Sequence, residues 1–248
     1  LANACAGRSG IHRLEASFAQ RLAGALVASA QFDGSEHFDP PRLRMLDRVS
    51  QFASFAARQA LAESRIDLAQ ADRRRIGVFL GTGMGGSQSS DDGYRSLYED
   101  GSDRIKPFTV LLGMHNAPAA WIGIDHDLRG PNFTYSTACS SSAVAIGEAA
   151  LRIARGDLDL ALAGGAEAPL SFGSLKAWEA LRTLATIDAG NAAASCKPFA
   201  QDRSGMVLGE GAAMIVLEAW ERAVARGATI LGEIAGYGFA NDTGHITR

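Results

Sequence analysis

The stretch Phe133-Thr134-Tyr135-Ser136-Thr137-Ala138-Cys139-Ser140-Ser141-Ser142-Ala143 decides how the rest of the chain is read. Its aromatic and β-branched opening residues predict a buried strand. The run that continues from Ala143 to Gly156 predicts a helix. Cys139 falls at the changeover, among residues too small to shield it. A thiol in the first turn of a helix lies near the positive end of the macrodipole, which favours thiolate and makes a nucleophile without a metal. Free cysteine is also among the most buried residue types, so a packing cysteine is the other reading. The stretch alone leaves both open.

Working outward, the 248 residues suffice for one large domain or two small ones. With 47% hydrophobic residues the chain can bury a sizeable core, and a net charge of −3 gives no global pull toward nucleic acid or anionic membrane. Three cysteines, Cys5, Cys139 and Cys196, are too few and too scattered for a disulfide framework or a zinc site. Cys5 and Cys196 lack a helix-start context and read as structural. Nothing approaches the roughly eighteen consecutive apolar residues of a membrane span. The opening Leu1–Arg8 has neither the basic start nor the apolar core of a signal peptide, so a cytoplasmic protein is expected.

Asp39-Pro40-Pro41 punctuates the chain before a helix expected over Leu43–Ser64, where Leu46, Val49, Phe52, Ala53, Ala56 and Ala60 recur at helical spacing. Arg42, Arg44 and Arg48 read as its solvated flank. Ile76–Leu80 reads as a buried strand, and it runs into Gly81-Thr82-Gly83-Met84-Gly85-Gly86, a formal G-x-G-x-x-G. The polar run Ser87–Gly93 does not read as the amphipathic helix a dinucleotide site needs, and no acid-terminated strand follows at the right distance. Close approach of this backbone to a ligand or a neighbouring strand is the better reading. Pro107–Ile124 reads as one helix with Pro118 near its start or at a kink, and His115 and His126 lack the partners of metal ligands. Leu158–Gly165 reads as a second buried strand, giving a βαβ unit around the Cys139 helix. A partly helical excursion over 171–197 follows. Then come the apolar run Met214–Leu217, a helix over Glu218–Arg226 capped by Gly227, and a strand at Ile230–Ile234. The whole predicts an α/β protein.

These residues carry a family resemblance. Tyr135–Ser142 resembles the nucleophile motif of the β-ketoacyl synthases, condensing enzymes of the thiolase-like superfamily. The likeness spans nearly the whole chain. Gly7-Arg8-Ser9-Gly10-Ile11, Met45-Leu46-Asp47-Arg48, Gly81–Gly86, Leu128–Asn132, Ala163–Glu167 and Gly209-Glu210-Gly211 stand in the family's order and spacing. The resemblance implies the N-terminal half of the layered αβαβα thiolase-like sandwich, a mixed five-stranded sheet covered by helices, with residues 1–248 as one domain. It implies that Cys139 accepts an acyl group from a carrier-protein thioester, and that decarboxylated malonyl-carrier then attacks it. The Cys139 N–H would contribute to the oxyanion hole. No cofactor or metal is implied. The expected partners are an acyl carrier protein and either a second copy or a related chain-length-factor subunit.

By the same resemblance Met84 occupies the place of an apolar gate to the acyl pocket, or else simply fills core. Arg44, Arg104 and Arg203 match basic positions that face the carrier. Asp202-Arg203-Ser204-Gly205 departs from the family's Arg-Asp-Gly, which puts a local ion pair in doubt. The family's opening Val-rich strand and its C-terminal half, with two catalytic histidines and a lysine, have no counterpart here. His245 matches neither histidine and reads as a loop residue. The chain alone is therefore expected not to condense. A non-catalytic chain-length-factor-like partner and a dinucleotide-dependent oxidoreductase are the competing readings, and retention of Cys139 argues against the first.

Overall fold

The computed structural model describes residues 2–244, so His245 lies outside the described residues. In chain order the helices are α1 (Ala2–Cys5), α2 (Pro40–Leu43), α3 (Arg48–Ser64), α4 (Ser87–Tyr98) and α5 (Thr109–Gly113). They continue with α6 (Ala117–His126), α7 (Ser141–Ala154), α8 (Phe172–Ala180) and α9 (Trp220–Ala225). The strands are β1 (His12–Arg13), β2 (Leu26–Ala28), β3 (Ile76–Gly81) and β4 (Asn132–Tyr135). β5 (Leu160–Glu167), β6 (Leu208–Gly209) and β7 (Gly211–Glu218) complete the set. The chain divides into two compact units. One comprises the residues up to Phe52 with Met84–Ala117 and Glu167–Gly211; the other comprises Ala53–Gly83, Pro118–Ala166 and the residues from Ala212 on.

The second unit is built on a four-stranded sheet in the order β4-β3-β5-β7. β3 is parallel to both β4 and β5, and every one of its residues is buried. That explains why it reads as an unbroken apolar run rather than an alternating one. Ala145 and Ala149 of α7 pack on Phe79, Ala161 and Ala163, small side chains that let the helix lie close to the sheet. The βαβ crossover expected around Cys139 is therefore present. β4, expected to be buried, is an edge strand with Phe133 43% exposed. Its aromatic and β-branched residues suit a strand but do not say how many neighbours it has.

The first unit holds a three-stranded sheet in the order β1-β2-β6, with Val27, Leu170 and Leu175 as its buried centre. Where the resemblance implies one five-stranded sheet, the described residues form two sheets. Ile230–Ile234 forms no strand; Leu231 is 93% exposed, and among the described residues no edge pairs with this run.

Three helix expectations also change. The helix expected from Leu43 is interrupted at residues 44–47, because the buried Asp47 carboxylate accepts the Val49 N–H and so starts a new helix there. Burial holds Asp47 above the usual carboxylate range. Residues 107–124 split into α5 and α6, since Pro118 fits only the first turn of a helix. The polar run after the glycines does form a helix, α4, in which Ser87, Gln88 and Ser89 occupy the first turn, where polar residues belong.

Arg48 is no solvated flank. Its guanidinium donates from Nε to Glu210 Oε2 at 2.8 Å and from Nη2 to Glu210 Oε1 at 2.6 Å. It also reaches the Ala30 and Phe32 carbonyls and lies 4.7 Å over the Phe52 ring. The Glu210 side chain is 2% exposed and that of Arg48 is 25%. Glu210 also accepts the Ala30 N–H at 3.0 Å. Glu210→Ala leaves a largely buried guanidinium unpaired and is expected to cost about 3 kcal/mol, read as a lower urea midpoint.

Candidate active site

In the second unit the Thr82 N–H extends the β3–β4 pairing to the Tyr135 carbonyl at 3.0 Å. The chain then turns through Ser136–Ser140 into α7, which begins at Ser141, two residues earlier than the apolar pattern suggests. Ala138 sits at φ +51°, a left-handed conformation that costs an alanine about 1 kcal/mol. Hydrogen bonds hold it there. The Ser140 N–H donates to the Thr137 carbonyl and the Ser141 N–H to the Ala138 carbonyl, both at 3.2 Å. The buried Ser141 hydroxyl accepts the Thr137 N–H at 2.9 Å and donates to the Ala138 carbonyl at 2.6 Å. Strain kept at the residue before a candidate nucleophile is the kind that clusters at working sites.

This turn holds Cys139 exposed, which removes the packing reading. Among the described residues its N–H makes no hydrogen bond, so a donor lies directly beside the thiol. Ser141→Ala would leave the Thr137 N–H and the Ala138 carbonyl without this partner. The expected cost is about 1–3 kcal/mol, with slower alkylation of Cys139, measured by thermal melting and iodoacetamide kinetics. Sequence reading missed Ser141 because a serine beside two others carries no mark of its own.

The glycine run has a packing explanation. A methyl group on Gly81 would lie 2.2 Å from the Ser141 carbonyl carbon and 2.3 Å from the Ser142 nitrogen, so β3 must end in glycine for α7 to start where it does. In the first unit, a methyl on Gly86 would lie 1.9 Å from the Leu112 carbonyl oxygen. Protein backbone fills these approaches, and the next strand, β4, ends in Tyr135 rather than an acid. The close approach is to the helices α7 and α5, where the sequence suggested a ligand or a neighbouring strand.

Met84 belongs to the first unit, half-buried, and donates its N–H to Glu167 Oε1 at 3.2 Å. Arg44, Arg104 and Arg203 lie in the same unit, all exposed. Among the described residues none of the three makes an ion pair. The loop around Arg203 keeps ion pairs despite Ser204: Lys197 Nζ joins Asp188 at 2.9 Å and Asp202 at 2.5 Å. Ser204 Oγ accepts the Thr186 N–H at 3.1 Å. Cys5 and Cys196, read as structural from their context, are exposed instead. Burial holds His126 below the usual histidine range, and no cluster of metal-ligating side chains occurs among the described residues. None of the described helices is long and apolar enough to cross a membrane.

Residues 4–223 match the family model of the β-ketoacyl synthase N-terminal domain. Nodulation protein E of Rhizobium meliloti (strain 1021) is 40% identical over 97% of this chain and 58% of its own length. A 3-oxoacyl-[acyl-carrier-protein] synthase 2 of Staphylococcus aureus is 36% identical over 99% of this chain and 60% of its own length. Among solved structures, a β-ketoacyl synthase from Burkholderia phymatum STM815 superposes with a TM-score of 0.85 at 32% identity, over 98% of this chain and 60% of that one. The ishigamide ketosynthase/chain length factor gives 0.81 at 26%, over 92% and 55%. A type II polyketide ketosynthase solved in complex with its acyl-carrier protein gives 0.69 at 25%, over 82% and 56%. The chain belongs to the β-ketoacyl synthase family, and its fold is that of the thiolase-like ketosynthases. It spans about 60% of the length of the curated relatives it matches.

Proposed function

We propose that the protein carrying this chain is a 3-oxoacyl-carrier synthase whose acyl-accepting nucleophile is Cys139. The exposed thiol on a strained turn, with an N–H beside it that no described residue accepts, is the observation that carries this reading. The Cys139 sulfur attacks the carbonyl carbon of an acyl-carrier thioester. The oxyanion that forms accepts the Cys139 N–H. The bond to the carrier's sulfur then breaks, and the acyl group stays on Cys139 while the carrier thiol leaves. In the second half-reaction malonyl-carrier loses carbon dioxide, the resulting carbanion bonds to the acyl carbon, and the Cys139 sulfur is released. That step needs general acids and bases which this family resemblance places in a C-terminal half, and the 248 residues alone are expected not to perform it.

In this reading residues 1–248 form one ketosynthase N-terminal domain acting in the cytoplasm, in fatty acid or polyketide synthesis. Met84 gates the acyl pocket. Arg44, Arg104 and Arg203 offer unpaired cations to an acidic acyl carrier protein, and the solved carrier complex of a related ketosynthase supports that partner. The half-exposed edge strand β4 offers backbone groups to a second copy or to a chain-length-factor-like subunit, the arrangement named for one structural neighbour. A wholly non-catalytic subunit is disfavoured by the exposed Cys139.

Alkylation tests the assignment. Iodoacetamide is expected to place one carbamidomethyl group on Cys139 and to abolish condensation of acyl- and malonyl-carriers by the full-length protein. Full condensation by protein completely alkylated at Cys139 would reject it.

A further inference from the structure

The run Met84–Ser89 in the first unit poses a capping problem. Gly86 is the N-cap of α4 and has no side chain with which to accept the orphan N–H groups of the first turn. Nor can it be a serine or aspartate, because the Leu112 carbonyl occupies the space a Cβ would need. The missing acceptor comes from far upstream. Asp47 accepts the Ser89 N–H, the third residue of α4, on Oδ2 at 2.8 Å, while its Oδ1 accepts the Val49 N–H at 3.0 Å. One buried carboxylate thus serves the N-termini of α3 and α4, where both macrodipoles favour its negative charge.

The other end of the run is held by a second carboxylate. Glu167, the last residue of β5, accepts the Met84 N–H. Ser87 Oγ donates to the Ala168 carbonyl at 3.4 Å, a weaker tie on the same side. Gly85 is pressed against His115, and Gly86 against Leu112. The run Met84–Ser89 is therefore tied at its two ends, at Met84 and at Ser89, to acids from distant parts of the chain.

We infer that Glu167 and Asp47 are positioning residues that set the acyl-length preference by fixing the Met84 loop. This inference rests on the reading of Met84 as the acyl gate. Loss of either acid frees the loop, so Met84 no longer stands at one fixed depth and longer chains are admitted.

The test measures acylation of Cys139 in the full-length protein by acyl-carriers of graded chain length, followed by intact-mass spectrometry. Glu167→Ala is expected to shift the ratio of long-chain to short-chain kcat/KM by about tenfold, and Glu167→Gln, which retains the oxygen acceptor, by less than about twofold. Asp47→Ser should behave like Glu167→Ala. Its hydroxyl still caps α3, so α3 and overall folding are kept, but it is too short to reach Ser89 as well. Circular dichroism and melting on both variants separate loss of fold from loss of position. Met84→Ala is the control. If Met84→Ala shifts chain-length preference and Glu167→Ala and Asp47→Ser do not, the positioning inference is overturned while the gate stands. If Met84→Ala leaves the preference unchanged, the gate reading fails and takes this inference with it. Equal shifts in Glu167→Ala and Glu167→Gln would also overturn it, because charge rather than the bond to Met84 would then be responsible.

Discussion

Cys139→Ser is expected to lower acyl transfer from an acyl-carrier by about a thousandfold or more, with the fold unchanged. A serine hydroxyl fits the same turn. Cys139 is exposed, so nothing packed depends on its sulfur, and the bonds that shape the turn run through Thr137, Ala138, Ser140 and Ser141. What changes is the nucleophile: an alkoxide is far harder to form at neutral pH than a thiolate, and the turn supplies no base to help. The melting temperature should therefore stay within about 2 °C of the wild type, the range of a neutral surface substitution. Cys196→Ser, at another exposed thiol, serves as the reactivity control and should leave transfer intact.

Gly81→Ala is expected to have the largest effect on the structure itself. The added methyl meets the backbone of Ser141 and Ser142 at a distance no side-chain adjustment can relieve. Either β3 or the start of α7 must move, at a cost of about 3 kcal/mol or more. For a chain of this size that corresponds to a fall in Tm of about 10 °C. A moved α7 terminus also loosens the turn that presents Cys139, so alkylation should become slower even in the molecules that remain folded. Gly232→Ala, where a methyl would meet nothing within 4 Å, should leave both the melt and the alkylation rate unchanged.

The βαβ unit that positions Cys139 was legible because its signals are local. Ile76–Leu80 is a short apolar run, the small residues at 136–142 mark a tight changeover, and the alanines of α7 recur at helical spacing. Apart from the local break at Pro118, the main failures involve partners far away in sequence. Asp47 breaks a helix that periodicity would continue, because the price of burying its carboxylate is met only by N–H groups of two helices, one of them about forty residues on. Arg48 reads as a surface cation until Glu210 is brought beside it. β4 has a core-like composition, yet its place at the sheet edge is set by strand order, which no single strand encodes. Ile230–Ile234 has the composition of a strand but no neighbouring edge among the described residues. The polar start of α4 hid a helix whose cap lies on another segment. For the candidate site, the exposed cysteine on its turn was visible and its supports were not. Ser141, Glu167 and Asp47 act through hydrogen bonds that only the folded backbone defines.

The most direct test of the central claim is to incubate the full-length protein with a palmitoyl- or octanoyl-carrier thioester and map the adduct by peptide mass spectrometry. The acyl group is expected on the peptide containing Cys139, at one equivalent, with Cys5 and Cys196 unmodified and no adduct in Cys139→Ser. An unmodified Cys139 in folded protein, or an acyl group carried on another residue, would contradict it.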